Sequence, residues 1–346
     1  MTTQPHVAIA ILNYNGKKHL ENYLPFLVNL SYSNYSVWII DNQSTDDSIR
    51  FVNTNYPGFK TIINKNNGGF AAGYNQGLAH IEADYYVLLN SDVEVSKDFL
   101  GPVIDLMERD KSIAFAQPKI LWLRDRTKFE YAGGAGGVID ALGYPFCRGR
   151  VLETLETDTQ QFNDNKYIFW ASGACMFARV SVYKELNGMY PLFFMQNEEI
   201  DMCWRAQNLG YKNAVCGSSV VWHLGGGSLE WENPKKTYYT FRNNLIMLTR
   251  NMPVARLAWL IPLRTGLDFI AGCRYWLSGK ANIGKAVFSG NIAYWKWLFG
   301  KKHNGKFPAG RGFINTCNGI YKGAIVWQYM IKKRTTYTQI TNNEIT

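Results

Sequence analysis

Short apolar segments alternate with amphipathic ones along the first hundred residues. Four segments rich in β-branched and aromatic residues predict buried strands, at residues 7–12, 37–40, 61–63 and 85–89. The intervening residues favour helices, among them 17–30 and a small-residue helix that ends near residue 79. Strands that alternate with helices at this spacing join through right-handed crossovers into a mainly parallel sheet. The pattern therefore predicts an α/β fold.

The remaining pattern divides the chain in two. Residues 113–118 and 215–222 predict further strands, and the glycine-rich residues 133–146 predict a loop or hairpin. After Pro253 the pattern changes to helical segments rich in Trp and Tyr, with Lys and Arg among them. We therefore predict an α/β domain of residues 1–252 and a basic, aromatic-rich helical C-terminal region of residues 253–346.

Composition narrows the class of protein. Of 346 residues, 47% are hydrophobic and 18% are charged, so the chain can bury a large core and is not a disordered protein. Six cysteines without a C-x-x-C pair favour a reducing compartment, and residues 1–6 lack the pattern of a signal peptide. Charges such as Arg264 and Asp268 interrupt the apolar segments and argue against a membrane-spanning helix. A cytoplasmic location is predicted.

The net charge of +10 is unevenly distributed. Residues 1–250 carry 23 Lys and Arg against 25 acids, whereas residues 251–346 carry 14 against two, Asp268 and Glu344. Basic residues mixed with Trp are typical of helices that lie on an anionic membrane surface, here the inner face of the cytoplasmic membrane. The alternative is a helical layer packed on the first domain with a solvated basic face. No nucleic-acid-binding motif accompanies the charge, so no nucleic-acid partner is predicted.

Polar residues follow the predicted strands, namely Asn13, Asp41, Asn90 and Asp92. Because ligands of open α/β sheets bind beyond the carboxyl ends of the strands, we expect these residues to line one crevice. Asp41 is placed like an acid that binds a nucleoside, and the glycines of residues 67–75 allow a phosphate to approach the backbone. A turn acid and a helix cap are the alternative. Neither a P-loop nor a dinucleotide fingerprint is present, which argues against an oxidoreductase.

Two residues at strand ends suggest a metal site. Asp92 follows the fourth strand and His223 follows a later one. One carboxylate, one imidazole and two phosphate oxygens would suit a divalent cation, and the histidine favours Mn²⁺ over Mg²⁺. The alternative is that Asp92 forms a turn and His223 packs before the glycines at 225–227.

Adjacent acids suggest a general base. Glu198 and Glu199 begin a predicted helix that follows the apolar residues 192–195. Burial and mutual repulsion would raise the pKa of one of them into the range of a base. Asp201 and Arg205 have the spacing of an ordinary helical ion pair, and acids in the first turn also complement the helix dipole, so a structural explanation stays open.

These motifs together resemble family 2 glycosyltransferases, which are inverting enzymes of GT-A fold, and most resemble the bacterial rhamnosyltransferases. The resemblance covers about residues 6–250. The motifs that carry it are Asn13-Tyr14-Asn15-Gly16, Asp41-Asn42-x-Ser44-x-Asp46, Asn67-Gly68-Gly69-Phe70 with Gly73 and Asn75, Asn90-Ser91-Asp92, Ser172-Gly173-Ala174, Glu198-Glu199-x-Asp201 with Arg205, and Trp222-His223.

The resemblance implies a role for each motif. Asp92 and His223 would bind the metal, and Glu199 would be the base, with Glu198 as the alternative. The residues that would bind the nucleotide-sugar donor are Asn13, Asn15, Asp41, Asn67, Gly68, Gly73, Asn75 and Asn90. The chain departs from the family pattern twice, because Asn90-Ser91-Asp92 replaces the D-x-D motif and a glutamate replaces the usual aspartate base.

The acceptor and the reaction are also implied by the resemblance. The residues that would form the acceptor site are Trp170, Ser172, Gly173, Asp201 and Arg205, although Trp170 suits core packing equally well. The expected donor is a dTDP-sugar, with rhamnose first, or a UDP-sugar such as a hexose or galactofuranose. The expected acceptor is a saccharide or lipid-linked saccharide of cell-surface polysaccharide synthesis. The alternative is a non-catalytic module that binds nucleotide sugar or glycan.

Overall fold

The computed structural model of the protein describes residues 4–225, 233–300, 317–341 and 345. Strands and helices alternate through the first 110 residues. In chain order they are β1 (Val7–Asn13), α1 (Lys17–Tyr23), β2 (Tyr35–Asp41), α2 (Ser48–Asn55), β3 (Lys60–Ile63), α3 (Gly69–Leu78), β4 (Tyr85–Leu89), β5 (Val93–Val95) and α4 (Leu100–Arg109).

Mostly strands follow, and then helices. The next elements are β6 (Ile113–Trp122), β7 (Asp125–Phe129), β8 (Gly137–Asp140), β9 (Pro145–Cys147), β10 (Arg150–Val151), β11 (Thr154–Leu155), β12 (Lys166–Ile168), β13 (Cys175–Arg179), α5 (Val180–Glu185), α6 (Glu198–Asn208) and β14 (Lys212–His223). The last are α7 (Pro234–Asn251), α8 (Val254–Leu277), α9 (Ala281–Phe299), β15 (Ile320–Tyr321), α10 (Ile325–Met330) and α11 (Tyr337–Thr341).

The main sheet is mixed, with a parallel half. Its strand order is β12-β14-β6-β13-β4-β1-β2-β3, with β5 on β14 and β7 on β6. Strands β1 to β4 run parallel to their neighbours, whereas β13 runs antiparallel to both β4 and β6. Asn13 pairs with Asp41 at the carboxyl ends of β1 and β2. The predicted α/β sheet is therefore present, and the strand-end residues share one edge.

Both faces of the sheet are buried. Along β1, Ala8 and Ala10 pack into one apolar core, and Val7, Ile9 and Ile11 pack into the other. Since successive side chains of a strand point to opposite faces, a continuous apolar strand requires cover on both sides. Helices α3, α5, α6 and α7 contribute to the first core, and α1, α2 and α4 to the second.

The C-terminal region shares the first core. Leu260 of α8 and Tyr294 of α9 are fully buried there together with Met202 of α6. Strand β15 also pairs with β8 and completes a second sheet, of order β11-β10-β9-β8-β15. The predicted helical character holds for α8 and α9, but the region also supplies a strand. Pro253 lies between α7 and α8, and the domain division at this residue stays a prediction.

Local differences from the predictions have simple causes. The helix predicted over residues 17–30 ends at Tyr23 and continues as a 3₁₀ turn, because Pro25 has no backbone N–H to donate. Residues 133–146 include β8 and the start of β9, so the hairpin alternative is correct. Gly226, Gly227, Lys301 and Lys302 lie outside the described residues. Among the residues that are described, no helix combines the length and apolarity needed to cross a membrane.

Candidate active site

The first crevice residues form a hydrogen-bonded pair where β1 and β2 end. The Asn13 side-chain nitrogen donates to Asp41 Oδ1 at 2.8 Å, and Ser44 donates its backbone N–H to Asp41 Oδ2 at 2.8 Å. Asn13 and Asp41 are both buried. Asn13 Oδ1 is buried without a hydrogen-bond partner, and an unsatisfied buried acceptor is costly. The pair therefore offers an acceptor to an N–H or O–H of a ligand.

Asn15 organises the loop beside this pair. Its backbone adopts a left-handed conformation, with φ of 51°, and its side-chain oxygen accepts the Thr45 N–H at 2.7 Å. The Asn15 N–H in turn donates to Ser44 Oγ at 2.8 Å. These bonds join the loops after β1 and β2. Asn15 is exposed, and its side-chain oxygen is engaged by the protein, so its role in donor binding stays a prediction.

The loop before α3 packs tightly because of its glycines. Gly69 has φ of 75°, and a Cβ there would collide with the Phe194 carbonyl. A Cβ on Gly68 would lie 2.8 Å from Ala72, and one on Gly73 would lie 2.8 Å from the Asn42 amide. The glycines thus permit close packing of the protein itself.

Asn67 and Asn75, both predicted to bind the donor, have different surroundings. Asn67 Oδ1 accepts the Gly69 N–H at 3.0 Å and so shapes the loop. Asn75 donates to the Met189 carbonyl at 2.7 Å, and its oxygen accepts from Tyr183 at 2.7 Å and from the Met189 N–H at 3.0 Å. Both polar atoms of Asn75 are used by the turn after α5, which differs from the predicted donor contact.

Strand pairing brings Asp92 and His223 together. Val93 of β5 pairs with His223 of β14, so Asp92 lies beside the histidine. His223 Nε2 is 3.2 Å from Asp92 Oδ1, and the Asn90 side-chain nitrogen is 3.5 Å from the same Nε2. Asp92 and His223 are both buried. Residues predicted from two separate motifs therefore form one cluster.

Glu130 is a further member of this cluster that the sequence analysis missed. It follows β7, is buried, and places Oε1 3.4 Å from His223 Nδ1. Burial lowers the pKa of His223, but the Glu130 and Asp92 carboxylates outweigh burial and raise that pKa to about 10. No sequence motif identifies Glu130, because its partner His223 lies far away along the chain.

The donor set of this cluster fits a divalent cation. Asp92 offers a carboxylate, and His223 would offer an imidazole once a bound cation displaces its proton, a combination suited to Mn²⁺. Among the described residues, no group of three or more His, Cys, Asp and Glu side chains has the arrangement of a metal site. The protein thus offers two ligands, and further ligands would come from a bound diphosphate or water.

Glu199 lies at the start of α6 against the loop before β13. A Cβ added to Gly173 would lie 3.9 Å from the Glu199 Cβ and 3.1 Å from the Phe70 ring. Glu199 is half-buried, whereas Glu198 is only 5% exposed. Each carries a buried Oε2 without a hydrogen-bond partner. Of the two acids, Glu199 is therefore the one that adjoins the predicted acceptor loop with some solvent access.

Burial dominates the electrostatics of both acids. It raises the pKa of Glu199 to about 7, against smaller opposing effects of backbone N–H groups. Burial and the neighbouring Glu199 carboxylate together raise the pKa of Glu198 well above its usual value. A carboxylate that titrates near neutrality has the basicity expected of a general base.

The segment just before Glu198 is strained, and a residue of α7 holds it in place by hydrogen bonds. Phe194, Gln196 and Asn197 all have positive φ, of 58°, 70° and 70°. The side-chain nitrogen of Asn243 lies 2.8 Å, 2.7 Å and 2.8 Å from the carbonyl oxygens of residues 193, 195 and 196. Left-handed backbone costs about 1 kcal/mol or more per non-glycine residue, so it persists only where the surroundings enforce it. Asn243 supplies that enforcement, and no sequence motif identifies it.

Three of the five predicted acceptor residues are committed to the protein interior. Trp170 is buried and donates its indole N–H to the Val138 carbonyl at 3.1 Å, so core packing, the alternative, describes it. Asp201 is fully buried, with Arg205 at 2.8 Å and Arg250 at 3.1 Å. Arg205 Nη1 and Nη2 also donate to carbonyl oxygens of residues 186 and 188. These contacts engage the indole N–H, the Asp201 carboxylate and each guanidinium nitrogen within the protein.

The other two belong to a loop that joins the two parts of the site. Ser172 is buried, and its hydroxyl donates to the Ala132 carbonyl, so it supports the loop. Gly173 faces Glu199, as described above. The Ala174 carbonyl accepts the Asn90 N–H at 2.9 Å, next to Asp92 and His223. The 172–174 loop therefore connects the candidate base to the candidate metal cluster.

Two curated relatives share most of their length with this chain. The N-acetylglucosaminyl-diphospho-decaprenol L-rhamnosyltransferase of Mycobacterium tuberculosis is 23% identical over 233 residues, which is 62% of this chain and 75% of the relative. Rhamnosyltransferase WbbL of Escherichia coli is 24% identical over 219 residues, which is 60% of this chain and 78% of the relative.

Two solved structures share the fold. GalNAc-T7 with UDP, GalNAc and Mn²⁺ superposes with a TM-score of 0.57 at 12% identity, covering 89% of this chain and 59% of that one. Mannosyltransferase PcManGT from Pyrobaculum calidifontis, in complex with GDP-Man and Mn²⁺, superposes with a TM-score of 0.53 at 13% identity, covering 87% of this chain and 89% of that one. The predicted GT-A fold is confirmed.

The family model for glycosyl transferase family 2 matches residues 8–186. This match spans half of the chain and includes the residues at the ends of β1, β2 and β4. It stops before the candidate base and before His223. With a GT-A fold and rhamnosyltransferases among its relatives, the chain belongs to glycosyl transferase family 2.

Proposed function

We propose that this protein is an inverting glycosyltransferase that moves a sugar from a nucleoside-diphosphate donor to a hydroxyl of a saccharide or lipid-linked saccharide. The observation that carries the proposal is the position of Glu199. It is half-buried, has an unpartnered carboxylate oxygen, and adjoins a loop that is bonded to Asn90 beside Asp92. A base and a candidate metal cluster joined by one loop are what a single displacement requires.

The proposed reaction is balanced within this site. The acceptor oxygen forms a bond to the anomeric carbon as the bond from that carbon to the diphosphate oxygen breaks. Glu199 takes the proton of the acceptor hydroxyl, and the electron pair of the broken bond leaves with the nucleoside diphosphate. A divalent cation held by Asp92 and His223 would neutralise charge on the leaving diphosphate. Since attack comes from the face opposite the leaving group, the configuration inverts.

The nucleoside would bind at the ends of β1 and β2. Asn13 Oδ1 needs a hydrogen-bond donor, and Asp41 uses three of about four acceptor positions on its carboxylate, for Asn13, the Ser44 N–H and the Ser44 hydroxyl. Both can accept from N–H or O–H groups of a nucleoside.

Rhamnose is the proposed sugar and dTDP the proposed nucleotide. Support comes from the rhamnosyltransferases among the relatives, one of which is described as acting on a decaprenol-linked saccharide. An acceptor of that class would place the reaction at the cytoplasmic face of a membrane, in the synthesis of a cell-surface polysaccharide. UDP-hexoses and UDP-galactofuranose are the competing donors.

A donor panel tests the proposal. Calorimetry with dTDP-rhamnose, UDP-glucose and UDP-galactofuranose in the presence of Mn²⁺ is expected to select one donor. Release of its nucleoside diphosphate should then increase when a saccharide acceptor is added. A protein that binds a donor but never releases nucleoside diphosphate, with any acceptor tried, would be a binding module and not an enzyme.

Replacement of Asn243 by Leu is expected to lower kcat by about 10- to 100-fold, with little change in the donor KM. The substitution removes the hydrogen bonds that hold the loop before Glu198 and so misplaces the base. Asn244→Leu is the matched control, because this neighbouring buried amide bonds the distant Gly143 carbonyl at 3.1 Å. Both variants should lose similar stability in urea titrations. Equal losses of kcat would contradict a positioning role for Asn243.

A further inference from the structure

Helix α8 presents an apolar face to the outside. Of the 18 large apolar side chains exposed among the described residues, 11 follow Pro253, and seven of these belong to α8. We call these seven the outer face: Val254, Trp259, Leu263, Phe269, Ile270, Trp276 and Leu277. At 100° per residue they fall on one half of the helix. A continuous apolar surface of this kind marks an interaction site.

The opposite half of α8 is buried and contains an ion pair beside the apolar Leu260 and Ile261. Arg264 and Asp268 are 2% and 1% exposed, with 3.9 Å between Arg264 Nη2 and Asp268 Oδ1. Arg264 also donates to the Leu142 carbonyl at 2.7 Å. An ordinary surface helix has polar residues on its outward face, where α8 has the seven apolar ones. The sequence of α8 therefore suits a helix with protein on one side and an apolar medium on the other.

Basic residues greatly outnumber acids in the part of the chain that carries the outer face. Residues 233–300 contain ten Lys and Arg but a single acid, the buried Asp268. Arg274 Nη1 lies 3.8 Å from Met330 Sδ, which brings the end of α10 beside the last turns of α8. There Trp327 and Ile331 are exposed. Three residues shortly after α10 are also exposed, and we call them the basic cluster: Lys332, Lys333 and Arg334.

The charge distribution selects one partner. A second copy of the chain would bring two basic surfaces without compensating acids together, which is unfavourable. A bilayer with anionic headgroups offers an apolar layer for Trp276 and Leu277 and negative charge for the basic cluster. Helix α8 lacks the apolarity to cross a bilayer, so the fitting geometry is a helix that lies along the surface.

We propose that the outer face of α8 and the adjoining basic cluster dock on a membrane that contains anionic phospholipids. This surface holds the enzyme at the bilayer and leaves the site around Glu199 and Asp92 to work on an acceptor anchored there. The inference rests on the proposed function only for the nature of that acceptor, since the apolar face and the charges are independent of the transfer reaction.

Vesicle flotation of the full-length protein, without substrates, tests the docking surface. We expect it to float with vesicles of phosphatidylcholine and phosphatidylglycerol, and much less with phosphatidylcholine alone or at high salt. Ile270→Asp and Leu277→Asp should each weaken binding about tenfold, because each removes a large exposed apolar side chain, 64% and 87% exposed. Lys332→Glu with Lys333→Glu should weaken binding to the anionic vesicles alone.

Ile63→Asp is the matched control, since Ile63 is as exposed as Ile270 but lies on β3, in the catalytic part. It should bind vesicles like the wild type. The proposal is overturned if the wild type does not float with anionic vesicles, or if Ile270→Asp floats equally well. It is also overturned if light scattering finds a dimer that Ile270→Asp dissociates. Failure of the transfer chemistry would appear separately, as absent nucleoside diphosphate release with a soluble acceptor.

Discussion

Glu199→Gln is expected to lower sugar transfer by about 1,000-fold while leaving nucleotide-sugar binding nearly unchanged. The amide keeps the size and most contacts of the side chain but cannot accept the proton of the acceptor hydroxyl. Donor affinity depends on the ends of β1, β2 and β4, which the substitution does not touch. Single-turnover release of nucleoside diphosphate and calorimetry with the donor measure the two quantities separately.

The pH profile provides a second readout of the same group. Because burial raises the pKa of Glu199 to about 7, the base is protonated below neutral pH and ionised above it. For the wild type, kcat/KM should fall about tenfold per pH unit below 7 and level off above it. The residual activity of Glu199→Gln should lack this acid limb.

Glu198→Gln is the matched control for this assignment. Glu198 carries the same functional group one residue earlier but is 5% exposed and has no described contact with the acceptor loop. The Glu198→Gln variant should retain sugar transfer, and its activity should still fall below pH 7. If Glu198→Gln abolishes transfer and Glu199→Gln does not, the roles of the two acids are exchanged.

Asp92→Ala is expected to remove metal-dependent donor binding and to lower kcat/KM by about 100-fold or more. Asp92 is one of only two predicted protein ligands, and its loss also leaves the buried His223 without that carboxylate. Calorimetry with the nucleoside diphosphate, once in Mn²⁺ and once in EDTA, measures how strongly nucleotide binding depends on the metal. The wild type should bind more tightly with Mn²⁺, and the variant should bind equally weakly in both conditions.

Asp98→Ala is a suitable control, because Asp98 is a nearby exposed acid of the same charge. It should behave as the wild type does in both buffers. If the wild type keeps its full affinity and activity in excess EDTA, the metal assignment fails, whereas the assignment of Glu199 as the base is unaffected.

Much of the fold was predictable from local sequence. The segments of β1, β2, β3 and β4 are short, apolar and followed by polar turns, so periodicity alone located them. The α/β class followed from their spacing. The end of α1 differs from the prediction, because Pro25 interrupts a sequence whose pattern is otherwise helical up to residue 30. The antiparallel β13 between β4 and β6 was also missed, since strand order depends on contacts between distant segments.

The residues of the candidate site were also predictable only in part. Asn13, Asp41 and Asp92 could be found because each lies at or shortly after the end of a strand of predictable position. Asn75, Asp201 and Arg205 have the residue types expected of a binding site, yet their polar groups are taken by neighbours such as Met189 and the carbonyl oxygens of residues 186 and 188. Residue type indicates which chemistry is available, but only the neighbours show whether a group is free.

The sequence by itself determined that this chain forms an α/β sheet with polar residues at the carboxyl ends of its strands, because hydrophobic periodicity is a local property. It also placed two acids at the start of α6. Only the tertiary structure decided that Glu199 adjoins Gly173, that Glu130 approaches His223, and that α8 buries Arg264 and Asp268. These relations depend on packing between segments far apart in the chain, and packing leaves no local pattern from which they could be inferred.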